Sequence, residues 1–213
     1  MTCKDALKSD FTPRVKSQLY KSITLGTKTY SIFLNDQRNF FSYPEYSSLR
    51  GDLLSYCIEK CIFERSFESD AVFRAIPKVV NNYKRSILHI ETDHFVSTLA
   101  KTRGKTLLPC KSKYKLKYSQ SNDEENKQLS FLEADMKVTE APYYAVITYG
   151  FDYKNNECTH TNLIIPSPRF DAVMYLENLY NRNEEFVTIT SDEVEETITK
   201  LKPGVLRLLK NNS

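Results

Sequence analysis

The chain lacks the short patterns that identify the common nucleotide-binding and hydrolytic enzymes. Its 213 residues include only 5 glycines, and these are too scattered to build a glycine-rich phosphate loop. The Gly-Lys-Thr within residues 102–106 has no earlier glycine at the spacing that such a loop requires. No GxSxG, HExxH or HxE…CxxC pattern occurs. These absences argue against the common hydrolases and zinc enzymes.

The spacing of the cysteines and histidines also matches no pattern typical of disulfides or metal sites. The 5 cysteines include no CxxC pair, and an odd number spread over the chain is not typical of a disulfide framework. Cys57 and Cys61 stand four residues apart in a helical pattern, so we interpret them as small buried side chains. The 3 histidines offer no recognisable pairing with a cysteine nucleophile. The sequence predicts reduced thiols and neither a resident metal nor a cofactor.

Long apolar runs are absent as well. The longest is Tyr143 to Ile147, far short of the roughly 20 residues that span a membrane. No apolar segment of a signal peptide follows the first residues. The 12% aromatic content and the net charge of +3 are typical of a folded chain. We expect one domain over residues 1–213, cytoplasmic and without membrane contact.

The N-terminal third mixes patterns. Residues 1–46 have an uncertain structure, with possible strands at 22–25 and 29–34. From Ser47 onward, apolar residues recur at helical spacing and predict a helix over 48–66. A second helical pattern at 72–83 is interrupted by Pro77, which must start, kink or end a helix.

The middle of the chain alternates with a period of two, which is typical of antiparallel strands. Strands are predicted at 86–90, 94–100, 112–118, 131–138, 143–149 and 158–165. The last two flank a segment rich in turn formers and predict a hairpin. Helices should follow at 168–181 and from Ser191, where Thr190 and Glu193 form a capping box. Pro203-Gly204 is expected to end the last helix. The order of elements predicts an α+β fold, a central antiparallel sheet with flanking helices.

Charge is segregated along the chain. Residues 74–118 hold eleven Lys or Arg and two acids, whereas residues 170–200 hold eight acids and two basic residues. Such asymmetry suggests an anionic partner for the basic middle, and nucleic acid is the commonest one. The candidate nucleic-acid-binding residues are Lys101, Arg103, Lys105, Lys111, Lys113, Lys115 and Lys117.

Two interpretations of these lysines remain open. As a strand, residues 113–118 would carry three lysines on one face, which could follow a phosphate backbone. Alternatively, this strand could pair with 131–138, placing Lys117 opposite Glu133 and Lys115 opposite Asp135, so that cross-strand ion pairs would neutralise part of the strip. Lys101, Arg103, Lys105 and Lys111 would stay unpaired in both cases.

A metal-dependent nuclease is a third possibility. Restriction-type nucleases place an acid-x-Lys pattern on a strand, where carboxylates hold a divalent ion. Glu133, Asp135 and Lys137, with Asp93 upstream, resemble that arrangement. Three acid-x-Lys matches occur in the chain, about as many as random placement gives, so the pattern carries little information. A divalent metal is expected only if this alternative holds.

We therefore predict a non-enzymatic binding protein whose basic central segment contacts nucleic acid or another anionic macromolecule, such as an anionic protein surface. The first alternative is a protein-interaction or inhibitory module, since tyrosines are frequent in or beside the predicted loops and are favoured at interfaces. Self-association is also plausible, because the acidic C-terminal third could meet the basic middle of a second copy. The second alternative is the nuclease.

Overall fold

A computed structural model describes residues 2–36, 49–80, 86–123, 142–180 and 189–211. Within these residues, five α-helices and one six-stranded sheet form a single α+β domain. The helices are α1 (Cys3–Asp10), α2 (Pro13–Asp36), α3 (Leu49–Arg65), α4 (Lys113–Ser119) and α5 (Ser191–Asn211). The strands are β1 (Arg74–Val79), β2 (Ser86–Glu91), β3 (Phe95–Lys101), β4 (Tyr143–Asp152), β5 (Glu157–Pro166) and β6 (Val173–Asn178).

The sheet follows chain order from β1 to β6. Every neighbouring pair is antiparallel except β3 and β4, which are parallel and pair Phe95 with Tyr143 through to Lys101 with Tyr149. The predicted antiparallel sheet is confirmed with this one exception. A parallel pair needs a crossover connection, and the chain between β3 and β4 includes α4.

Alternating residues of β4 face two different cores. Ala145, Ile147 and Tyr149 belong to the main core, which α1, α2, α3 and α5 share with one face of the sheet. Tyr144 and Val146 face the other way, into a smaller cluster completed by Leu116, Tyr118 and the buried Phe170. We call the face of the sheet that packs against these helices the helical side. The opposite face is covered by residues 102–123, which we call the cover segment, and we call that face the cover side.

Several predicted elements are confirmed. The helix over 48–66 is α3, and the strands at 86–90, 94–100, 143–149 and 158–165 are β2 to β5. The β4–β5 hairpin forms as expected. The capping box is present as well, because Thr190 N donates to Glu193 Oε2 at 3.0 Å and Glu193 N donates to Thr190 Oγ1 at 3.2 Å. The predicted strand at 131–138 lies outside the described residues.

The strands predicted at 22–25 and 29–34 are wrong, because both lie within α2. Isoleucine, threonine and aromatic residues make these stretches resemble strands. In α2, however, threonine and serine hydroxyls donate to carbonyls one turn earlier, as Thr24 does to Tyr20 at 2.9 Å and Ser31 does to Thr27 at 3.0 Å. The buried positions of α2 follow a helical stripe, which includes Val15, Leu19, Ile23, Gly26, Tyr30 and Phe33.

Two predicted helices are strands at the edges of the sheet. The pattern at 72–83 contains β1, where Pro77 is tolerated because each edge strand pairs on one side only. The helix predicted over 168–181 is replaced by a turn and β6. Phe170 shares no helix face there, because it adopts a left-handed φ of 54° in the turn before β6 and points into the cover-side cluster.

Two further predictions are corrected near the basic segment and at the C-terminus. The strand at 112–118 is wrong, because residues 113–119 form α4, and the proposed pairing of that strand with 131–138 falls with it. Pro203 does not end the last helix, since α5 continues to Asn211 with Pro203 inside it. Buried Leu201 and Val205 fix α5 on either side of the proline. Among the described residues, no helix combines the length and apolarity needed to cross a membrane.

Candidate nucleic-acid interface

Polar side chains of β5 hold the first part of the cover segment against the sheet. His160 Nε2 lies 2.9 Å from Thr102 Oγ1, and Asn162 Nδ2 donates to the Lys105 carbonyl at 2.6 Å. His160 can lie flat over β4 because the neighbouring residue there is Gly150, where a β-carbon would collide with the imidazole. Burial lowers the pKa of His160, and the positive charge of Lys105 lowers it further. The neutral imidazole therefore anchors the segment as a hydrogen-bonding group.

The second part of the cover segment is held by Asn122. Its buried amide nitrogen donates to the carbonyls of Tyr144 and Pro166, both at 2.9 Å, and its oxygen accepts from Tyr144 N at 2.7 Å. Ser119 Oγ adds a bond to the Pro168 carbonyl at 2.9 Å. Together these bonds tie the end of the cover segment to the start of β4 and to the turn before β6.

Between these anchors lies a buried layer with an unusual polar content. Thr98 Oγ1 and Tyr144 OH lie 2.7 Å apart, and the ring of Tyr118 meets His89 edge-on at 5.1 Å. His89 is 1% exposed, and neither of its ring nitrogens has a hydrogen-bond partner among the described residues. Burial lowers its pKa, and nearby Lys78 lowers it further. His89 is therefore a buried neutral side chain whose protonation would be costly.

The outer surface of the cover segment carries most of the predicted binding residues. Six cations are exposed: Arg103, Lys105, Lys111, Lys113 and Lys117 belong to the cover segment, and Lys101 ends β3 just before it. None of them forms an ion pair with a carboxylate of the described residues. A surface that carries charges of one sign attracts partners of the opposite sign, so these cations favour an anionic partner.

Lys115 behaves differently from its neighbours. In the predicted strand it would share a face with Lys113 and Lys117. In α4 it points inward, is 8% exposed and donates to the Cys110 carbonyl at 3.0 Å. Lys113 and Lys117 are four residues apart and share the outer helix face. The helix therefore removes Lys115 from the exposed strip and keeps the other two in it.

The structure places two further residues beside the basic stretch, which the charge pattern did not indicate. Tyr153, in the β4–β5 hairpin, accepts a hydrogen bond from Lys101 Nζ at 2.6 Å, and the same ammonium lies 4.0 Å from its ring centroid. Arg169 is exposed beside Lys111, whose ammonium donates to the Arg169 carbonyl at 2.8 Å. Both come from segments outside the basic stretch, so the charge pattern could not have identified them.

Two carboxylates lie near this end of the surface, since Asp123 and Asp171 line one pocket with Lys111 and Arg169. A hydrogen bond from the Ser167 hydroxyl holds the pKa of Asp171 below its usual value, and the charges of Lys111 and Arg169 contribute to the same shift. Asp171 therefore offsets part of the positive charge there, while Arg103, Lys105, Lys113 and Lys117 lack such a neighbour among the described ion pairs.

Of the four nuclease candidates, only Asp93 lies within the described residues. Asp93 lies in the turn between β2 and β3 rather than on a strand, and Glu133, Asp135 and Lys137 lie outside the described residues. Within the part of the chain that the structure describes, no group of three His, Cys, Asp or Glu side chains could hold a metal ion. The metal-dependent nuclease stays a prediction.

The pair of Asp10, at the end of α1, and His94, in the β2–β3 turn, has a structural role. The Asp10 side chain is fully buried and accepts from Thr92 Oγ1 and His94 N, both at 2.6 Å. Asp10 Oδ1 also lies 2.7 Å from His94 Nδ1. These bonds join the end of α1 to the β2–β3 turn. Since these residues are distant in sequence, no local pattern could have indicated the pair.

Comparison of the chain with protein-family models, with curated proteins and with solved structures gave no match.

Proposed function

We propose that the protein binds nucleic acid through the exposed cations of the cover segment and the adjoining Lys101. The observation that carries the proposal is that six exposed Lys and Arg side chains of residues 101–117 have no ion pair with a described carboxylate. Phosphate groups are the natural partners of such a surface, since each contact releases a condensed counterion from the nucleic acid.

The anchoring of the cover segment supports this function. A binding surface gains affinity when its groups are already in place, because less conformational entropy is lost on binding. Bonds from His160, Asn162 and Asn122 fix the backbone that carries these cations. The partly buried Leu116 packs against the cover-side cluster and fixes the inner side of α4. The surface is thus supported from below while its charges face outward.

The test is binding of labelled single- and double-stranded oligonucleotides over a range of salt concentrations. If all six cations meet phosphates, the logarithm of the binding constant for a single strand should fall with the logarithm of salt with a slope of about −4. The variant Arg103→Glu, Lys105→Glu, Lys113→Glu and Lys117→Glu should weaken binding strongly and reduce that slope by about 3.

A matched control separates a specific surface from general charge. Lys4, Lys8, Lys28 and Lys202 are exposed elsewhere in the described chain, and changing all four to Glu alters the net charge by the same amount. The control should keep a slope close to that of the unmodified protein. Equal losses in both variants, or no binding to any oligonucleotide, would contradict the proposal.

A second candidate function, protein interaction, is favoured by the β6 edge of the sheet. β6 has one neighbouring strand among those described and exposes Val173, Met174 and Leu176. At the opposite edge, β1 carries Pro77 and Lys78, which discourage strand pairing, and β6 has neither residue type. Salt-insensitive assembly, measured by light scattering and lost in Leu176→Lys, would support this candidate.

The nuclease alternative is tested in the same oligonucleotide assay. Addition of Mg²⁺ or Mn²⁺ should leave the strands intact if the protein only binds them. Cleavage that needs the metal and disappears in Asp135→Ala would support the nuclease instead.

A further inference from the structure

A cavity of about 410 Å³ lies where α3 meets the cover segment. It is located at the carboxyl end of β3, where the parallel pairing with β4 ends, since Lys101 of β3 and its partner Tyr149 of β4 both line it. Ligands of open sheets commonly bind outside the carboxyl ends of parallel strands. The volume lies within the range of about 300 to 1,000 Å³ that small-molecule pockets occupy.

Opposite walls of the cavity carry opposite charges. Asp52 and Glu59 line the α3 wall, and their seven-residue spacing places them on one helix face. Lys101 and the nearly buried Lys115 line the wall formed by β3 and α4. A ligand that fills the cavity therefore meets hydrogen-bond acceptors on one side and cations on the other.

Aromatic side chains provide the remaining surface. Tyr56, Tyr114 and Tyr149 all line the cavity. Tyr149 is held in place by Ser55, whose hydroxyl lies 3.0 Å from the Tyr149 hydroxyl. A tyrosine ring can stack on any unstacked base, whatever the sequence, since every base has a π-face. Carboxylates accept hydrogen bonds from the amino groups of bases, and lysines bind phosphate.

We infer that this cavity accepts one nucleotide unit of a single strand, with the base toward Asp52 and Glu59 and the phosphate toward Lys101 and Lys115. The inference rests on the proposed function, because Lys101 also belongs to the binding surface. It adds a preference for unpaired nucleotides, because a base within a duplex cannot leave its stack without an energetic cost.

The native thiol of Cys110 reports on the cavity directly. Cys110 lines the cavity and is the one cysteine of the five that is exposed. A single-stranded oligonucleotide should slow alkylation of Cys110 by iodoacetamide at least about fivefold, as measured by peptide mass spectrometry. A blunt duplex of the same sequence, at a concentration that saturates the basic surface, should protect Cys110 less. Equal protection by both would overturn the inference.

A variant of the carboxylate wall tests the role of the bases. Asp52→Asn with Glu59→Gln should remove the preference for single strand over duplex, leaving the two affinities within about twofold. The control, Asp192→Asn with Glu195→Gln, makes the same chemical changes at exposed positions of α5 and should keep the preference. Preference retained in the first variant would overturn the inference.

The experiment distinguishes the two proposals. Salt-dependent binding of single strand and duplex with equal affinity leaves the proposed function standing and rejects the cavity as a nucleotide site. No binding of either oligonucleotide rejects both. Protection of Cys110 by free cytidine or adenosine monophosphate, lost in the carboxylate variant, supports the cavity as the site of the nucleotide unit.

Discussion

The two faces of the sheet are covered in different ways. On the helical side, α1, α2, α3 and α5 bury one large apolar core, and several of their surface cations are paired with acids. Lys16 meets Glu177 at 2.5 Å and Lys21 meets Glu193 at 2.6 Å. On the cover side, a short segment with a small apolar cluster is tied down mainly by polar side chains, and its exposed cations have no described acidic partner.

This difference indicates that the two sides of the sheet contribute differently to stability and to the charged surface. The helical side supplies most of the buried apolar area, and hydrophobic burial dominates the free energy of folding. The cover side contributes less apolar area but displays cations on an anchored backbone. Stability should therefore depend mainly on packing on the helical side and on hydrogen bonds on the cover side, while the salt-dependent part of binding should depend mainly on the cover segment.

The largest effect is expected where α2 and α3 cross. A β-carbon at Gly26 would lie 2.6 Å from the Ile58 Cα and 3.0 Å from the Cys57 carbonyl oxygen. Gly26→Ala must push the two helices apart, so the free energy of unfolding should fall by about 3 kcal/mol in urea titrations.

Gly51 in α3 provides the control for this change. A β-carbon there would have no neighbour closer than 4.0 Å, so Gly51→Ala should gain about 0.5 to 1 kcal/mol from helix propensity. If both substitutions had the same effect, close helix packing would not explain the first.

On the cover side, the largest loss should come from an anchor. Asn122→Ala removes three hydrogen bonds and leaves buried backbone groups of Tyr144 and Pro166 unpaired. The expected cost is about 2 kcal/mol. Hydrogen exchange should increase in the cover segment more than in α2 and α3. Ser121→Ala, which removes only a local bond to Tyr118, should change both readouts little.

Sequence periodicity predicted the elements whose burial has one clear pattern. α3 has a continuous apolar stripe, and β4 and β5 combine apolar runs with a turn-rich loop, so their types were correct. Parts of α2 resemble strands because their β-branched and aromatic residues favour extended structure locally. Packing against α3 and the hydroxyl bonds within the helix override this preference. β6 was mistaken for a helix because pairing with β5 cannot be seen in local spacing.

The candidate site was only partly predictable for the same reason. Charge counting identified the basic stretch, but alternation of lysines at 113, 115 and 117 suggested a strand where the chain forms α4. Lys115 is buried, and Arg169 and Tyr153 lie beside the basic stretch. These positions depend on contacts between segments that are distant in sequence. Composition records which charges exist, whereas the fold decides which of them face outward.

Acidification should weaken the cover side selectively. Burial lowers the pKa of His89 below 6.5, with Lys78 adding to the shift and Glu91 opposing it. The unfolded chain therefore binds a proton near pH 6.5 that the folded protein resists, so stability is full above that pH and falls below it. We expect the free energy of unfolding, measured by urea titration at several pH values, to fall less steeply below pH 6.5 in His89→Leu than in the unmodified protein.

The pH experiment has an internal reference in His160. Its pKa is also lowered, mainly by burial and further by Lys105, so His89→Leu should retain the part of the decline that His160 causes. An unchanged pH profile in His89→Leu would show that His89 does not resist protonation. Tyr118 packs on His89 from α4, and a similar volume in the leucine variant keeps that contact filled.

The smallest effects should separate the two kinds of surface lysine. Lys21 is paired with Glu193 across α2 and α5, with both side chains about two-fifths exposed, whereas Lys113 is exposed on α4 with no described ion pair. Lys21→Gln should cost at most about 0.5 kcal/mol of stability, as exposed pairs do, and leave the salt dependence of nucleic-acid binding unchanged. Lys113→Gln should leave stability unchanged and reduce the salt slope by about 0.7 for a single strand. Both variants lose one positive charge, so a general charge effect predicts equal slopes. Equal slopes would mean that the cover segment has no special role in binding, and the contrast between the two sides would then concern folding alone.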